Sequence, residues 1–374
     1  MANVVIFGIG QMGTVIAYAM SKLGHDLTLV DVSKEAFSSA DRLIDKPLNK
    51  KAVMNLESDA PDIIKGQDLV ISALPYHKTE AVAKVAIELS VPYCDLGGRV
   101  DVSANINQFA EEAAFPFVLT DLGLAPGLVN ILAEWGYDSL GGADEIKMMV
   151  GGLPDRSTTN QLKYMVTWSI DGLLNEYRDA CEVLSNGNIE LVPGMEGLEK
   201  VNLKQHEDEF EAFYTSGGAA HTIKTMQERG VKNCSYKTLR YKGHRDIVRF
   251  LIRECELPDE CIGRIFTHGC SPVSYNEGYR FSGRIKDIAI VKCLVRNGDT
   301  YWDKEFVIPS DDTFTAMQRS TAFSLAAAAD LIASGEIDLS TRRTADRKSH
   351  PTLSYADIPF KKFAENLTSL GIMV

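Results

Sequence analysis

An α/β protein is predicted here, with a doubly wound parallel sheet at the amino-terminal end and an α+β domain after it, and three observations carry that prediction. Strand-like apolar runs alternate with helical stretches through the first ~120 residues. A Gly-x-Gly-x-x-Gly turn follows the first of those runs at Gly8, Gly10 and Gly13. Beyond Asp121 the texture changes to longer segments of alternating polarity, which suit an antiparallel or mixed sheet.

Taken in order, Val4-Val5-Ile6-Phe7 is a β-branched and aromatic run, the glycine turn comes next, and a small-residue helical stretch spans 14–23. His25-Asp26 turns the chain into Leu27-Thr28-Leu29-Val30, which ends at Asp31 and completes one βαβ unit. Residues 53–56 read as a short strand, 63–66 as the end of a short helix, and 68–75 as a buried strand that breaks at Pro75. A helix over 79–89, strands over 92–95 and 116–121, and a helix over 105–114 between them continue the alternation. In the second part, 128–135 and 158–176 read as helices, and 146–150, 236–241, 285–296 and 300–308 as strands. Alanine-rich 316–333 is strongly helical, and a charged tail over 338–351 precedes a last short helix. On this reading residues 1–122 form a dinucleotide-binding domain, 123–315 the α+β domain, and 316–374 return to the first.

Length and composition bound the function. The 374 residues are 45% hydrophobic and 24% charged, which is ordinary for a globular protein. A formal net charge of −12 repels phosphate backbones and anionic bilayers, so neither nucleic acid nor a membrane is the expected partner. The seven cysteines are scattered without a C-x-x-C pair and the histidines lack ligand spacing, so no disulfide framework and no metal site is expected. The start enters an apolar strand with no basic leader, and no apolar run approaches a membrane span; the expected location is cytoplasmic.

The glycine turn has the context that a dinucleotide fingerprint requires, with a strand before it, a helix after it and an acidic residue closing the next strand. Gly8 permits the tight turn, Gly10 admits a pyrophosphate, and Gly13 lets helix and strand pack closely. The helix start at Gln11 and Met12 offers amide donors and a positive dipole end. Asp31 is placed to accept from both hydroxyls of an adenosine ribose and to repel a 2′-phosphate, which points to NAD; the alternative role is a strand-end cap. Ala73, Leu74 and Pro75 close a further strand where small residues would face a nicotinamide ribose, although the proline also simply ends the strand.

Asp95 and Asp121 each end a sheet strand and each precede glycine by two positions. Two carboxylates facing one crevice suit a substrate ammonium or the proton released when an amine is oxidised; turn chemistry is the plain alternative. In Lys237-Thr238-Leu239-Arg240-Tyr241-Lys242-Gly243-His244, Arg240 is suited to clamp a carboxylate, and Tyr241 and His244 to orient a ligand or exchange protons. Strand alternation puts Arg240 with Thr238 and turns Tyr241 away, so not all of them reach one ligand. Thr215, in the turn Tyr214-Thr215-Ser216-Gly217-Gly218, offers a hydroxyl to an anionic group.

These motifs, with Asp121-Leu122-Gly123-Leu124-Ala125-Pro126-Gly127-Leu128-Val129-Asn130, Gly151-Gly152-Leu153-Pro154 and Glu211-Ala212-Phe213-Tyr214, resemble the saccharopine dehydrogenase-like oxidoreductases. The resemblance runs in order from the first strand to the helix near Ala326, and departs at Lys242, where proline is more usual before Gly-His. It implies a Rossmann domain completed by C-terminal helices, and an α+β domain used for substrate binding and dimerisation, in a homodimer. It further implies NAD-dependent oxidative deamination of the ε-amino group of L-lysine, an amino-acid substrate. Asp121, then Asp95, then His244 are the candidate proton acceptors, and Arg240, Tyr241 and Thr215 the candidate substrate contacts. A reductase working on a secondary amine such as saccharopine or carboxynorspermidine is the alternative within the family. A nucleotide-sensing protein without turnover is the alternative outside it.

Overall fold

The computed structural model describes residues 1–52, 56–156, 160–204, 206–270, 286–341 and 351–374. The chain divides into two compact units, Met1–Glu134 with Gln318–Val374, and Trp135–Met317.

In the first unit, β1 (Asn3–Phe7), β2 (Asp26–Asp31), β3 (Asn49–Ala52), β4 (Leu69–Ser72), β5 (Tyr93–Asp95) and β6 (Val118–Leu119) form one parallel sheet in the order β3-β2-β1-β4-β5-β6. Strand order reverses between β1 and β4, and in such sheets that point opens a crevice at the strands' carboxyl ends. Val4, Val5, Ile6 and Phe7 are all fully buried, as strands covered on both faces must be. The helices α1 (Gln11–Lys22), α2 (Phe37–Leu43), α3 (Leu56–Ile64), α4 (Tyr76–Glu88) and α5 (Val100–Glu112) alternate with the strands. The third strand lies at Asn49–Ala52, before the segment predicted; of that segment, 53–55 fall outside the described residues and Leu56 already opens α3. Strand pairing with β2 decided this, and the apolar content of 53–56 did not signal it.

The chain crosses between units within α6 (Leu128–Ser139) and within α11 (Ala316–Ala333). The second unit holds the strands β7 (Glu145–Pro154), β8 (Ala180–Ser185), β9 (Asn188–Pro193), β10 (Glu199–Leu203), β11 (His206–Tyr214), β12 (Asn233–Tyr241), β13 (Asp287–Asn297) and β14 (Thr300–Pro309). They form a mixed sheet in the order β10-β11-β12-β7-β13-β14, parallel between β12 and β7 and antiparallel elsewhere, with the β8-β9 hairpin joined through β12. Leu239 and Tyr241 lie in a core with Phe210, Val201 and Ile290, while Phe213 belongs to a separate core with Tyr164, Tyr177 and Phe266. The helix predicted over 158–176 is shorter: α7 spans Ile170–Arg178, Ser169 caps it by accepting from the Gly172 amide, and 157–159 fall outside the described residues. Helices α8 (Thr222–Glu228), α9 (His244–Arg249) and α10 (Asp259–Gly269) complete this unit. In the first unit, α12 (Phe360–Ser369) closes the chain; most of the predicted charged tail, 342–350, lies outside the described residues.

Candidate functional site

Along the carboxyl ends of the parallel sheet, the β1–α1 turn is built by its glycines. Gly8 has φ +88°, and a Cβ there would come within 2.8 Å of the Ala73 carbonyl oxygen. A Cβ on Gly13 would lie 1.7 Å from the Gly8 carbonyl oxygen, so only glycine permits this packing. Gly10 differs, because a Cβ there would meet nothing within 4 Å. That open approach lies over the start of α1, where no side chain caps the helix and the Gln11 and Met12 amides have no hydrogen-bond partner among the described residues. Free amides, a helix dipole and a side-chain-free approach fit a diphosphate.

Asp31 at the end of β2 accepts from the Ile9 amide at 2.7 Å through one carboxylate oxygen and from the Ser33 amide at 3.0 Å through the other. It therefore ties the glycine turn to the second strand and caps the turn that follows, and each oxygen keeps a lone pair for a further donor. Ala73 donates its amide to Phe7 at 2.8 Å, placing the β4 end against the glycine turn; Leu74 is half-buried and Pro75, exposed, is the N-cap residue of α4.

Two strands further along the same edge, Asp95 and Asp121 come together. Asp95 is 1% exposed; one carboxylate oxygen accepts from the Tyr93 hydroxyl at 2.8 Å, the other from the Gly97 amide at 2.8 Å and the Asp121 amide at 3.0 Å. Asp121 is partly exposed and adopts the left-handed region at φ +63°, a conformation that aspartate tolerates better than most residues. Its side chain accepts from the Ser103 hydroxyl at 2.9 Å and the Thr120 hydroxyl at 3.1 Å, and its carbonyl accepts from the Tyr355 hydroxyl at 3.0 Å. Every one of these partners is neutral. Burial, reinforced by the neighbouring Asp95 charge, pushes the Asp121 carboxyl up to about 7. Burial raises Asp95 as well, against the hydrogen bonds from the Asp121 amide, Tyr93 and Gly97. Such a pair exchanges protons near neutral pH and titrates as a unit.

In the second unit Arg240 is 3% exposed on the face of β12 that also carries Tyr236 and Thr238. Its Nε donates to the Tyr177 hydroxyl oxygen at 2.9 Å and its Nη1 to Thr238 Oγ1 at 2.6 Å and the Leu239 carbonyl at 2.9 Å. The guanidinium lies 5.1 Å from the Tyr164 ring centroid, a cation–π contact. His244 Nδ1 pairs with the Leu162 carbonyl at 2.7 Å and therefore carries the proton, so Nε2 accepts from the Tyr177 hydroxyl at 2.9 Å. The proton-exchange role expected of His244 requires correction. The ring is fully buried with both nitrogens engaged, and burial together with the Arg240 charge pulls it down to about 3, so it stays neutral and positions Tyr177 and Arg240.

Tyr241 is also corrected. It lies in the opposite core, 1% exposed, stacked on Phe210 with ring centroids 5.0 Å apart, and donates its hydroxyl to the Pro154 carbonyl at 2.8 Å. Strand alternation had already turned it away from Arg240. Thr215 is buried, and its hydroxyl has no hydrogen-bond partner among the described residues. Sequence reasoning missed Tyr177, Tyr164, Ser103 and Tyr93; a single hydroxyl residue carries no local signal of the partner it reaches.

Fold and site thus define the class: a protein with a dinucleotide-binding parallel-sheet unit and a mixed-sheet unit that buries a cation. Residues 4–116 match the saccharopine dehydrogenase NADP binding domain, and residues 123–345 the saccharopine dehydrogenase C-terminal domain. The chain belongs to the saccharopine dehydrogenase family, a family of oxidoreductases, and the cofactor class is a nicotinamide dinucleotide. It is 28% identical over 253 residues to the mitochondrial alpha-aminoadipic semialdehyde synthase of Mus musculus, covering 65% of this chain and 27% of that protein. It is 28% identical over 200 residues to the NADP(+)-dependent, L-glutamate-forming saccharopine dehydrogenase of Pyricularia oryzae, covering 52% of this chain and 44% of that protein. The chain spans about a quarter of the length of the synthases it matches. Apo saccharopine dehydrogenase (L-Glu forming) from Saccharomyces cerevisiae shares the fold, with a TM-score of 0.72 at 16% identity over 98% of this chain and 97% of that one. Among the described residues no helix is long and apolar enough to cross a membrane.

Proposed function

We propose that this chain catalyses the L-lysine 6-dehydrogenase reaction, the NAD-dependent oxidative deamination of the ε-amino group of L-lysine. The products are allysine, which cyclises to piperideine-6-carboxylate, and ammonia. The observation that carries the reading is the Asp95–Asp121 pair, a proton acceptor poised near neutrality on the same sheet edge as the glycine turn.

The Gln11 and Met12 amides would hold the diphosphate over Gly10, and Asp31 would receive the ribose hydroxyls beside the backbone amides it already binds. A bound nicotinamide would supply the hydride acceptor for the substrate carbon. The amine gives up hydride only as the free base, so Asp121 first takes a proton from the ε-ammonium. Ser103 and Thr120 hold the Asp121 carboxylate in place, and Asp95 keeps its affinity for the proton high. Once Asp121 has passed that proton to solvent, water adds to the iminium carbon and Asp121 takes the proton released; it returns this proton to the carbinolamine nitrogen, and C–N cleavage frees ammonia as the hydroxyl proton leaves. Within the second unit Arg240 is the proposed contact for a carboxylate group, and a homodimer in the cytoplasm is the proposed working form.

Asp31 supports NAD, because its charge disfavours a 2′-phosphate. The match to an NADP binding domain favours a second reading, reduction to or cleavage of a secondary amine of the saccharopine type with NADP(H). Purified protein incubated with L-lysine and NAD or NADP, with reduced nicotinamide absorbance and ammonia measured, separates the two. Lysine-dependent reduction of NAD with equimolar ammonia supports the first. Turnover of saccharopine alone supports the second, and tight cofactor binding without turnover of any amine leaves a nucleotide-sensing role.

A further inference from the structure

One ionisable side chain near Arg240 has no part in the chemistry above. Glu176 lies on α7 immediately before Tyr177, the residue whose hydroxyl accepts from Arg240. Its backbone carbonyl accepts from the Ser216 amide at 3.0 Å, which holds this turn of the helix against the segment after β11. Its carboxylate, by contrast, has no hydrogen bond and no ion pair among the described residues. The Arg240 charge nevertheless acts on it, favouring the ionised form, and the Glu176 charge acts in turn on Tyr164, Tyr177 and Tyr236. All of these groups therefore occupy one neighbourhood of the second unit.

Arg240 has matching capacity in its hydrogen bonding. Nε and Nη1 are committed to Tyr177, Thr238 and the Leu239 carbonyl, whereas Nη2 has no partner among the described residues. A carboxylate and a guanidinium nitrogen thus feel each other without touching, each with donors or lone pairs to spare. A ligand with an anionic and a cationic group on one carbon satisfies both at once and leaves neither host charge unpaired. A ligand carrying only one of the two groups strands the other host charge.

We infer that Glu176 and Arg240 together recognise the zwitterionic head of a free α-amino acid, with Glu176 taking the α-ammonium and Arg240 Nη2 the α-carboxylate. This rests on the reading of Arg240 as the carboxylate anchor and deepens it: Glu176 becomes the residue that selects an α-amino acid over a simple carboxylic acid. Burial that raises the Glu176 carboxyl to about 7 is relieved by an incoming ammonium, so the site is strongest for a cation.

The test uses ligands that cannot be oxidised at an ε-amine. L-Norleucine carries the full head group, hexanoate lacks the ammonium and pentylamine lacks the carboxylate. Calorimetric titration of the full-length chain, with and without nicotinamide dinucleotide, is expected to give norleucine binding ~10–100-fold tighter than either truncated ligand. Glu176→Gln removes the preference over hexanoate while leaving hexanoate affinity unchanged or improved, and Glu176→Asp retains part of it. Arg240→Lys weakens norleucine and hexanoate alike. A wild-type protein that binds norleucine no better than hexanoate, or a Glu176→Gln protein that keeps the preference, overturns the inference. Thermal unfolding of each variant confirms that a loss is not one of fold. Because norleucine is not a substrate, this outcome is independent of lysine turnover: preserved discrimination without lysine oxidation removes the proposed reaction and leaves the head-group site standing.

Discussion

The two buried polar clusters are opposites in composition. At the edge of the parallel sheet, Asp95 and Asp121 are two acids surrounded by neutral donors, namely Tyr93, Ser103, Thr120 and backbone amides. In the mixed-sheet unit one cation, Arg240, is surrounded by the phenols of Tyr164 and Tyr177, with the neutral imidazole of His244 behind them. The same physical force, loss of hydration, moves both acids up, Asp121 to about 7, and takes the imidazole down out of the neutral range. A histidine near a cation is thus the wrong place to look for the proton carrier, although histidine has the more suitable ordinary value.

The contrast has its largest consequence at Asp121. Asp121→Asn is expected to lower kcat ~10²–10⁴-fold, as removal of a general base does, while cofactor dissociation constants stay within about twofold. Full activity across pH in that variant would assign the proton to another group.

Asp95→Asn comes next and tests the coupling. Since the Asp95 charge helps to hold Asp121 up at about 7, its removal moves the acid limb of the kcat/KM profile to lower pH. An unmoved limb would show that Asp121 is raised by burial alone.

Stability offers a third test. Asp121 and Glu176 both bind protons more tightly folded, near 7, than their ordinary values of 3.8 and 4.5 allow when unfolded. The folded state therefore holds more protons between those limits, and the stability these groups contribute is full at low pH and lost as pH rises through about 7. A tenfold difference in proton affinity between the folded and unfolded chain is worth about 1.4 kcal/mol, so urea unfolding at the two ends of this window should differ by roughly a few kcal/mol on account of these groups. Asp121→Asn and Glu176→Gln should each flatten the slope.

His244→Asn is expected to change KM more than kcat and to leave the pH profile without a new inflection, because the imidazole does not titrate in that range. The smallest effect belongs to Tyr241→Phe, which loses one hydrogen bond worth ~1 kcal/mol and leaves kinetics within about twofold.

How much of this was legible follows from the range of each interaction. The glycine turn could be read because a strand, a left-handed Gly8 and a helix start are adjacent in the chain. Asp31 was readable as a strand-end acid, but its bond to the Ile9 amide depends on β1 lying beside β2. Asp95 and Asp121 were each visible as strand-end carboxylates, and their meeting required β5 to pair with β6. The alternation of β12 correctly parted Tyr241 from Arg240. Glu176 and Tyr177 were hidden, because 158–176 read as one helical stretch and periodicity does not reveal that, among the described residues of this stretch, the helix begins at Ile170.

Order along the chain was enough for the alternating strands and helices, the turn that admits a diphosphate and the identity of the family, because these depend on neighbours within a few residues. Which carboxyl carries a proton at neutral pH, why His244 does not, and how Arg240 is held depend on desolvation and on partners tens of residues distant. Those quantities come into existence only when packing removes water, and no local pattern of residue types encodes them.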